Sequence, residues 1–195
     1  MTTPDIKLRL VKLEDAPALL HIYQYYVQQT AITFEYDTPS VKEFEKRIST
    51  ISLKYPYLIA YTDNKILGFA YLSAFHPRAA YIWAAEISIY LSHDVQHHGI
   101  GTLLYKELEK IAAAQNILNI NACISLPKTT DPHLPMTSIY FHEKNGFKKV
   151  AHFHDVGYKF NTWFDMIWME KTSSSHPTPM SPFIPYCDIK NDFYA

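Results

Sequence analysis

One stretch near the middle of the chain, residues 85–104, limits the folds that this sequence can adopt more than any other. An apolar run typical of a β-strand ends at Leu91, a short polar loop follows, and Gly99-Ile100-Gly101 opens a segment with helical spacing. The first N–H groups of a helix have no intrahelical partner, and the helix dipole adds partial positive charge there. The stretch therefore predicts a strand–loop–helix unit that binds a phosphate or pyrophosphate, with Glu86 on the strand just upstream.

Strand and helix signals follow one another along the rest of the chain in the order βααβββαβαββ. Ser40 and Glu43 match a capping box at the start of one helix, and Asn145-Gly146 is typical of a helix C-terminus. The order predicts an α+β (mixed α/β) fold with a mixed, mostly antiparallel central sheet flanked by helices. We expect this domain to span residues 1–171. Residues 172–195 are rich in Ser and Pro, which favours an extended tail over a packed element.

Composition narrows the class of protein. The 195 residues are 48% hydrophobic, which is enough for the core of a single domain. The formal net charge of -1 gives no electrostatic basis for binding nucleic acid or an anionic membrane. No apolar run is long enough to span a bilayer, and the first residues do not resemble a signal peptide. We therefore expect a cytoplasmic protein with no membrane or nucleic-acid partner.

Ten histidines raise the question of a metal site. His97 and His98 are adjacent, so their side chains diverge, and His152 and His154 are expected to share one strand face without a third nearby ligand. We therefore expect no metal ion. A hydrolase is also disfavoured, because the chain has no Gly-x-Ser-x-Gly motif.

The polar loop of the opening stretch carries a family signature. Gln96-His97-His98-Gly99-Ile100-Gly101 matches the Gln/Arg-x-x-Gly-x-Gly/Ala pattern of the GNAT N-acetyltransferases. Over residues 6–171 the chain resembles, within that family, the phosphinothricin and methionine-sulfoximine acetyltransferases. The further motifs that carry this resemblance are Thr33-Phe34-Glu35, Gly68-Phe69-Ala70-Tyr71, Arg78 with Tyr81 and Trp83, His142-Glu143-x-x-Gly146-Phe147, Gly157-Tyr158-Lys159 and Trp163-x-Asp165.

The resemblance implies acetyl-CoA as the acetyl donor and a central sheet whose strands splay apart to admit it. It assigns the pantetheine arm to the edge of the strand at Ile89, Tyr90 and Leu91. The pyrophosphate is expected on the loop and helix start, at Gln96, His97, His98, Gly99, Ile100, Gly101 and Thr102. Ser138 is expected near the pantetheine or phosphate groups, or else only as a helix-capping residue. The chain departs from the family at Lys128, where an Asn usually follows the Leu-Pro pair. The segment 129–136 is also several residues longer than the corresponding segment of the family pattern.

Two residues are candidates for proton transfer. Glu86 interrupts an apolar run, so burial should raise its pKa and suit it to deprotonate an amine near neutral pH. The alternative is an outward-facing residue on a half-exposed strand. The resemblance places His142 where many GNAT enzymes have a Tyr that protonates the CoA thiolate, and a histidine can also donate a proton near pH 7. The alternative is a helix-surface histidine that contacts CoA or nothing.

The resemblance also locates the acceptor. Arg78 and Tyr81 occupy positions that hold a small amino acid, and Arg78 could grip an α-carboxylate with two parallel hydrogen bonds. The alternative for Arg78 is an exposed charge in a turn. Phe34, Phe75 and Trp83 are expected to wall the site. The function predicted is acetyl transfer to the α-amine of a small amino acid or analogue. Protein N-terminal or polyamine acetylation, or non-catalytic acyl-CoA binding, are the alternatives, and the resemblance permits a homodimer.

Overall fold

The computed structural model of the chain describes residues 5–63, 65–95, 99–172 and 175–194. These residues contain seven strands, which form one sheet, and four helices of eight residues or more. The strands are β1 (Lys7–Leu10), β2 (Tyr57–Tyr61), β3 (Ile66–Ala74), β4 (Ala84–Leu91), β5 (Asn119–Leu126), β6 (Lys148–Lys159) and β7 (Thr162–Thr172). The helices are α1 (Ala16–Gln29), α2 (Val41–Ser52), α3 (Ile100–Ala114) and α4 (Thr137–Lys144), and a short α5 (Tyr186–Ile189) follows near the C-terminus.

The sheet has the order β1-β2-β3-β4-β5-β7-β6 and is antiparallel except between β4 and β5. The parallel pairing is short, because only Ala84–Glu86 of β4 pairs with Asn119–Asn121 of β5. Beyond that point β4 stays with β3 and β5 stays with β7, so a gap opens between the two central strands. The predicted mixed, mostly antiparallel sheet with splayed central strands is confirmed.

Helices cover the two faces of the sheet unequally. Helices α1 and α2 bury apolar side chains such as Leu19, Tyr23 and Ile48 against β2 and β3. On the other face α3 packs Leu104 and Leu108 against the strands, and Phe183, Tyr186 and Ile189 of the C-terminal segment join the same core. The part of the first face formed by β5 and β7 is left open beside α1. Within the described ranges, the helices are too short or too polar to cross a bilayer.

Local signals explain how the first two helices begin. At α2 the Ser40 hydroxyl accepts the Glu43 N–H and the Glu43 carboxylate accepts the Ser40 N–H, as the capping box predicted. At α1 the carboxylate of Asp15 does not cap the helix. It accepts two hydrogen bonds from Arg9, each 2.7 Å long, and one from the backbone N–H of Lys12. This carboxylate therefore joins β1 to the start of α1.

The C-terminal segment differs from its prediction. Tyr186 is 3% exposed, and Phe183 and Ile189 pack against the main core. The Tyr186 N–H donates to Lys54 O, and the Gln115 side-chain amide donates to Lys54 O and Ile184 O. The prediction of an extended, unpacked tail is therefore wrong for residues 183–194. The Ser and Pro content of the segment indicated its irregular backbone, but this composition did not predict that its aromatic residues pack on the core.

Strands β6 and β7 are 12 and 11 residues long and form a hairpin. Its turn lies at Phe160 and Asn161, both with positive φ (50° and 58°). Gly157 lies within β6. A side chain at Gly157 would meet the Phe34 ring at 2.2 Å, so glycine is required for close packing there.

Candidate active site

The strand-borne acid lies where the two central strands separate. Glu86 is opposite Ser73 of β3 and Asn121 of β5, in the last pair before the gap. Cross-strand partners share a face, so the Glu86 side chain points to the open part of the face that bears α1 and α2. A carboxylate at this point can reach both the gap and the open cleft beside it.

Burial sets the electrostatics of this cleft. It raises the pKa of the Glu86 carboxyl above its ordinary value. Burial and the nearby Glu86 charge together raise the pKa of the Cys123 thiol to about 12. The pKa of Tyr71 is also raised to about 12, by burial most of all, and the Glu86 charge contributes. Glu86 is thus a half-buried carboxyl group with a raised pKa, between two groups that are neutral at neutral pH.

Aromatic rings form a wall beside Glu86. Cys123 pairs with Trp168, and Ser125, two residues further along β5, pairs with Met166. Cross-strand partners share a face, so the side chains of Cys123, Met166 and Trp168 lie on the same face of the sheet. The Cys123 and Met166 sulfurs are 3.1 Å apart. The Trp168 ring meets the Phe75 ring edge-on at 5.4 Å. The sequence analysis missed Met166 and Trp168, although the alternation of apolar residues in β7 was the signal for them.

The predicted acceptor residues are brought together only in part. The rings of Phe75 and Tyr81 are 6.0 Å apart, and Arg78 precedes the 3₁₀ turn Ala79–Tyr81 as an exposed residue. Trp83 points elsewhere, since its indole N–H donates to Ser181 O of the C-terminal segment at 2.8 Å. Its predicted role as a wall of the acceptor site is not supported by this contact.

Phe34 lies on the loop between α1 and α2, against the β6–β7 hairpin. Its ring is 6.3 Å from that of Phe164, and it covers Gly157. The same loop approaches the open cleft, because the Ser125 hydroxyl of β5 donates to Ile32 O at 3.4 Å. Phe34 therefore borders the cleft from the hairpin side, separate from Phe75 and Tyr81.

Lys159 fixes this loop in place. Its ammonium is 4% exposed and donates to three carbonyl oxygens, Val27 O at 2.7 Å, Thr30 O at 2.8 Å and Thr33 O at 2.8 Å. The N–H of Ala31, which would continue α1, donates to His133 O instead. A lysine near the end of β6 gave no sequence signal for this role, because its partners lie more than 120 residues away.

The edge of β4 that faces the gap is defined by the ladder with β3. Ser92 N–H donates to Leu67 O at 2.8 Å on the β3 side. Backbone groups of alternate residues point to opposite edges of an antiparallel pair, so Tyr90 also bonds toward β3. Ile89 and Leu91 direct their N–H and C=O groups toward the gap. The three predicted pantetheine-binding residues are therefore not equivalent.

Leu91 is already engaged by a side chain. The Tyr26 hydroxyl of α1 donates to Leu91 O at 2.7 Å and accepts from Leu91 N–H at 3.1 Å. Of the three predicted residues, Ile89 is the one that offers both backbone groups to a ligand in the gap. Tyr90 contributes its ring to the aromatic core, 4.8 Å from Tyr23.

The predicted anion cradle lies at the start of α3. Gly99 has φ of 77°, a conformation that favours glycine, and a side chain there would meet nothing within 4 Å. Leu103 N–H makes the first helical bond, to Gly99 O at 3.1 Å, so the N–H groups of Ile100, Gly101 and Thr102 have no intrahelical partner. Gln96, His97 and His98, also predicted to bind the pyrophosphate, lie outside the described residues.

Helix α4 carries the two remaining predicted residues. His142 is 4% exposed, so the interpretation as a helix-surface residue is wrong. Its Nε2 lies 2.8 Å from the Tyr105 hydroxyl and its Nδ1 lies 2.7 Å from Ser138 O. Burial lowers the pKa of His142 to about 4. Ser138 lies inside α4, after the capping position held by Met136, so it does not cap the helix.

Comparison with known proteins agrees with this geometry. The family model of the Acetyltransferase (GNAT) domain matches residues 8–168. The phosphinothricin N-acetyltransferase of Streptomyces viridochromogenes is 28% identical over 184 residues, which cover 94% of this chain and 96% of that protein. The L-methionine sulfoximine/L-methionine sulfone acetyltransferase of Pseudomonas aeruginosa is 26% identical, with 84% of this chain and 92% of that protein covered.

A solved structure extends the comparison to the fold. The GNAT superfamily phosphinothricin acetyltransferase from Sinorhizobium meliloti, in complex with AcCoA, matches with a TM-score of 0.80 and 30% identity over 95% of this chain and 99% of that one. The chain belongs to the GNAT acetyltransferase family, as its loop signature predicted. Within that family it is similar to the phosphinothricin and methionine sulfoximine acetyltransferases, the branch indicated by its motifs.

Proposed function

We propose that this chain moves the acetyl group of acetyl-CoA to the α-amine of a small amino acid or analogue of the phosphinothricin, methionine sulfoximine or methionine sulfone type. As a GNAT acetyltransferase it takes acetyl-CoA as its co-substrate. The observation that carries the proposal is Glu86, a half-buried carboxylate with a raised pKa at the point where β4 and β5 separate. The names of its relatives supply the class of acceptor.

The chemistry requires an amine with a free lone pair. In the proposed reaction Glu86 takes a proton from the ammonium of the acceptor, directly or through a water molecule. The amine nitrogen then bonds to the thioester carbon, and collapse of the tetrahedral intermediate breaks the C–S bond and releases the CoA thiolate. The start of α3 would hold the pyrophosphate, and the backbone of Ile89 would pair with the pantetheine arm.

The source of the proton for the thiolate stays a prediction. Both ring nitrogens of His142 are hydrogen bonded, and its lowered pKa favours the neutral ring at neutral pH. A proton donated through His142 would pass by way of the Tyr105 hydroxyl, which is its only partner on the Nε2 side among the described residues. We therefore propose that His142 orients Tyr105 and packs α4 on α3, whether or not the pair delivers the proton.

The alternatives predict different acceptor sites. A polyamine or a protein N-terminus would favour an acidic or open groove, whereas Arg78, exposed just before the turn that carries Tyr81, suits an anionic acceptor. Phe75, Tyr81 and Trp168 suit the short aliphatic chain of an amino-acid analogue. A module that only binds acyl-CoA has no need for a base with a raised pKa beside the gap.

A CoA-release assay tests the proposal directly. Acceptors would include amino acids, their sulfones and sulfoximines, phosphinothricin, polyamines and peptides. We expect activity with the small amino-acid analogues; activity confined to peptides or polyamines would overturn the choice of acceptor. Activity with none of them would favour the binding module.

Glu86→Gln tests the base. We expect kcat/KM to fall roughly 10²–10⁴-fold, because the amide cannot accept the proton. A base acts only when deprotonated, so in the wild type activity should be lost as the pH falls through the raised pKa of Glu86, above the range of an ordinary glutamate. That acidic limb should be absent in the variant. The exposed Glu14→Gln serves as the control, and wild-type kinetics in Glu86→Gln would remove Glu86 from the mechanism.

Arg78→Ala tests the carboxylate clamp. We expect it to raise the KM of the acceptor far more than the KM of acetyl-CoA, since the guanidinium would contact the acceptor alone. An acceptor ester should be insensitive to the substitution. Equal effects on both substrates would indicate a general effect on the fold of the 3₁₀ turn.

We also propose a homodimer, supported by the exposed edge strand β6. Val150, Phe153 and Val156 are between 45% and 56% exposed there, and β6 is the last strand of the sheet. Light scattering coupled to size exclusion would give twice the chain mass for a dimer. Cytoplasmic location and the domain limits of 1–171 and 172–195 remain predictions.

A further inference from the structure

A second cluster of ligand-type side chains lies on the β6–β7 hairpin. His152 Nε2 is 2.8 Å from Asp165 Oδ2, and His154 Nδ1 is 3.1 Å from the same oxygen. Among residues 5–63, 65–95, 99–172 and 175–194, these three form the one group of His, Cys, Asp or Glu found with ligand atoms all within 4.8 Å of one another. The expectation that His152 and His154 lack a third ligand is therefore wrong.

The fold explains how the third residue arrives. His152 and His154 alternate along β6 and share a face, and β7 runs back beside them. The register between the strands shifts between Phe153 and Gly157, and this irregularity brings Asp165 under both imidazoles. Sequence spacing alone could not place Asp165, because a shift of one residue would turn it to the other face.

The cluster is separate from the Glu86 cleft. Asp165 and Met166 are adjacent in β7, so their side chains point to opposite faces of the sheet. The Met166 side chain lies with Cys123 on the cleft face. His152 pairs with Ile167, which belongs to the core on the opposite face. The cluster therefore lies on the other side of the sheet from the proposed base.

The carboxylate is already oriented. Asp165 is 5% exposed, and its Oδ1 accepts the backbone N–H of Asp155 at 3.0 Å. That hydrogen bond, together with the two imidazoles, lowers the pKa of Asp165 to about 2. A carboxylate with one oxygen held by the backbone has its other oxygen directed at the ligand position, which is the usual support around a protein metal site.

The distances suit a small divalent ion. Ligand atoms bound to a tetrahedral zinc ion at about 2.0–2.1 Å lie about 3.3 Å from one another. The two contacts to Oδ2, at 2.8 and 3.1 Å, would lengthen by up to about half an ångström to match, and the two imidazole nitrogens lie within 4.8 Å of each other. The side chain of His154 is 73% exposed, so it is free to make that adjustment.

We propose that His152, His154 and Asp165 bind a divalent transition-metal ion of the zinc type. Two imidazoles and one carboxylate are a donor set that zinc adopts with a water molecule in the fourth position. Calcium and magnesium are disfavoured, since they prefer oxygen ligands. The ion would join β6 to β7 at the irregular part of the hairpin and so stabilise the native chain.

The test uses the full chain without an affinity tag, after treatment with a chelator that is then removed by dialysis. Zinc chloride is added, and bound metal is measured by mass spectrometry after desalting. Cobalt chloride serves as a second probe, because its visible absorption reports the coordination number. Thermal unfolding is recorded with and without zinc.

Two variants carry the comparison. His154→Gln removes one ligand from an exposed position, so it should leave the fold intact, which circular dichroism would verify. His21→Gln removes an exposed histidine of α1 and is the matched control. For the wild type and His21→Gln we expect about one zinc per chain, a tetrahedral cobalt spectrum and a rise in Tm with zinc. His154→Gln should lose all three.

Equal zinc content and equal Tm shifts in the two variants would overturn the proposal, as would less than stoichiometric zinc in the wild type. In that case the three side chains form a hydrogen-bonded cluster only. The readouts do not depend on acetyl transfer, so the result is independent of the proposed function.

Discussion

A substitution of Lys159 tests how the loop between α1 and α2, which carries Phe34, is held in place. Its buried ammonium donates one hydrogen bond to each of Val27 O, Thr30 O and Thr33 O. These three carbonyls surround the end of α1, where the helix dipole is negative. The perturbation is Lys159→Met, which keeps the aliphatic stem and removes the charge and the donors.

The magnitude follows from two opposing effects. Hydrogen bonds to a charged group contribute about 1.5–3 kcal/mol each, so three of them give roughly 4.5–9 kcal/mol. Desolvation of the ammonium offsets several kcal/mol of this sum. We therefore expect the free energy of unfolding to fall by about 2–4 kcal/mol, within the total of about 5–15 kcal/mol of a typical domain. The variant should still fold.

The loss should reach the acceptor site but not the acetyl-CoA site. Phe34 lies on the loop whose carbonyl at Thr33 is released, and the loop borders the cleft near Ser125. We expect the KM of the acceptor to rise roughly tenfold because the loop is displaced. The start of α3 has no contact with Lys159 among its hydrogen bonds, so the KM of acetyl-CoA should not change.

Urea unfolding followed by tryptophan fluorescence measures the first effect, and steady-state kinetics the second. Lys148→Met on the exposed part of the same strand is the matched control, and Lys159→Arg should fall between it and Lys159→Met. If Lys159→Met unfolds at the same urea concentration as Lys148→Met with an unchanged acceptor KM, the ammonium does not hold the loop.

Three further outcomes are expected. Tyr26→Phe should lower the free energy of unfolding by about 1–3 kcal/mol, because Leu91 N–H and C=O lose their partner. The KM of acetyl-CoA should not rise in this variant, and a higher KM would mean that the Tyr26 hydroxyl assists binding. Asp15→Asn should destabilise the chain by about 1–3 kcal/mol at pH 7. Although burial raises the pKa of Asp15, hydrogen bonds from Arg9 and a backbone N–H leave it lowered overall, so this stability is present above the unfolded pKa and is lost as the pH falls through the native value. Urea titrations at several pH values should show the wild type and variant converging in acid. The pKa of Cys123 is raised to about 12, so this thiol should react with iodoacetamide at pH 8 roughly a thousandfold more slowly than an unperturbed thiol. Peptide mass spectrometry would measure the labelling rate, and rapid labelling would contradict the environment described for Glu86.

Features set by neighbouring residues were predictable from the sequence. The capping box at Ser40 and Glu43, the C-terminus of α4 at Asn145-Gly146 and the glycine at the start of α3 depend on short spacings, and each was confirmed. The gap between β4 and β5 was expected from the family resemblance. Local patterns thus gave the elements and their order.

Features set by strand register and long-range contacts were not predictable. Asp165 joins His152 and His154 only because of an irregular register in the hairpin. Burial of His142 depends on how α4 packs against Tyr105 of α3, and this burial lowers the pKa of the imidazole. Their partners are far apart in the chain, so no spacing rule reports them.

The C-terminal segment changes the meaning of any deletion at residue 171. Its backbone and side chains bond to the ends of α2 and α3 and to Trp83, just ahead of the closed end of the β4–β5 gap. A shortened chain would remove Phe183 from beside the Tyr55 ring and would leave the Gln115 amide with Lys54 O as its one remaining acceptor among the described residues. Loss of activity after trimming would then report weaker packing around Trp83 and the ends of α2 and α3, rather than the removal of a predicted site residue.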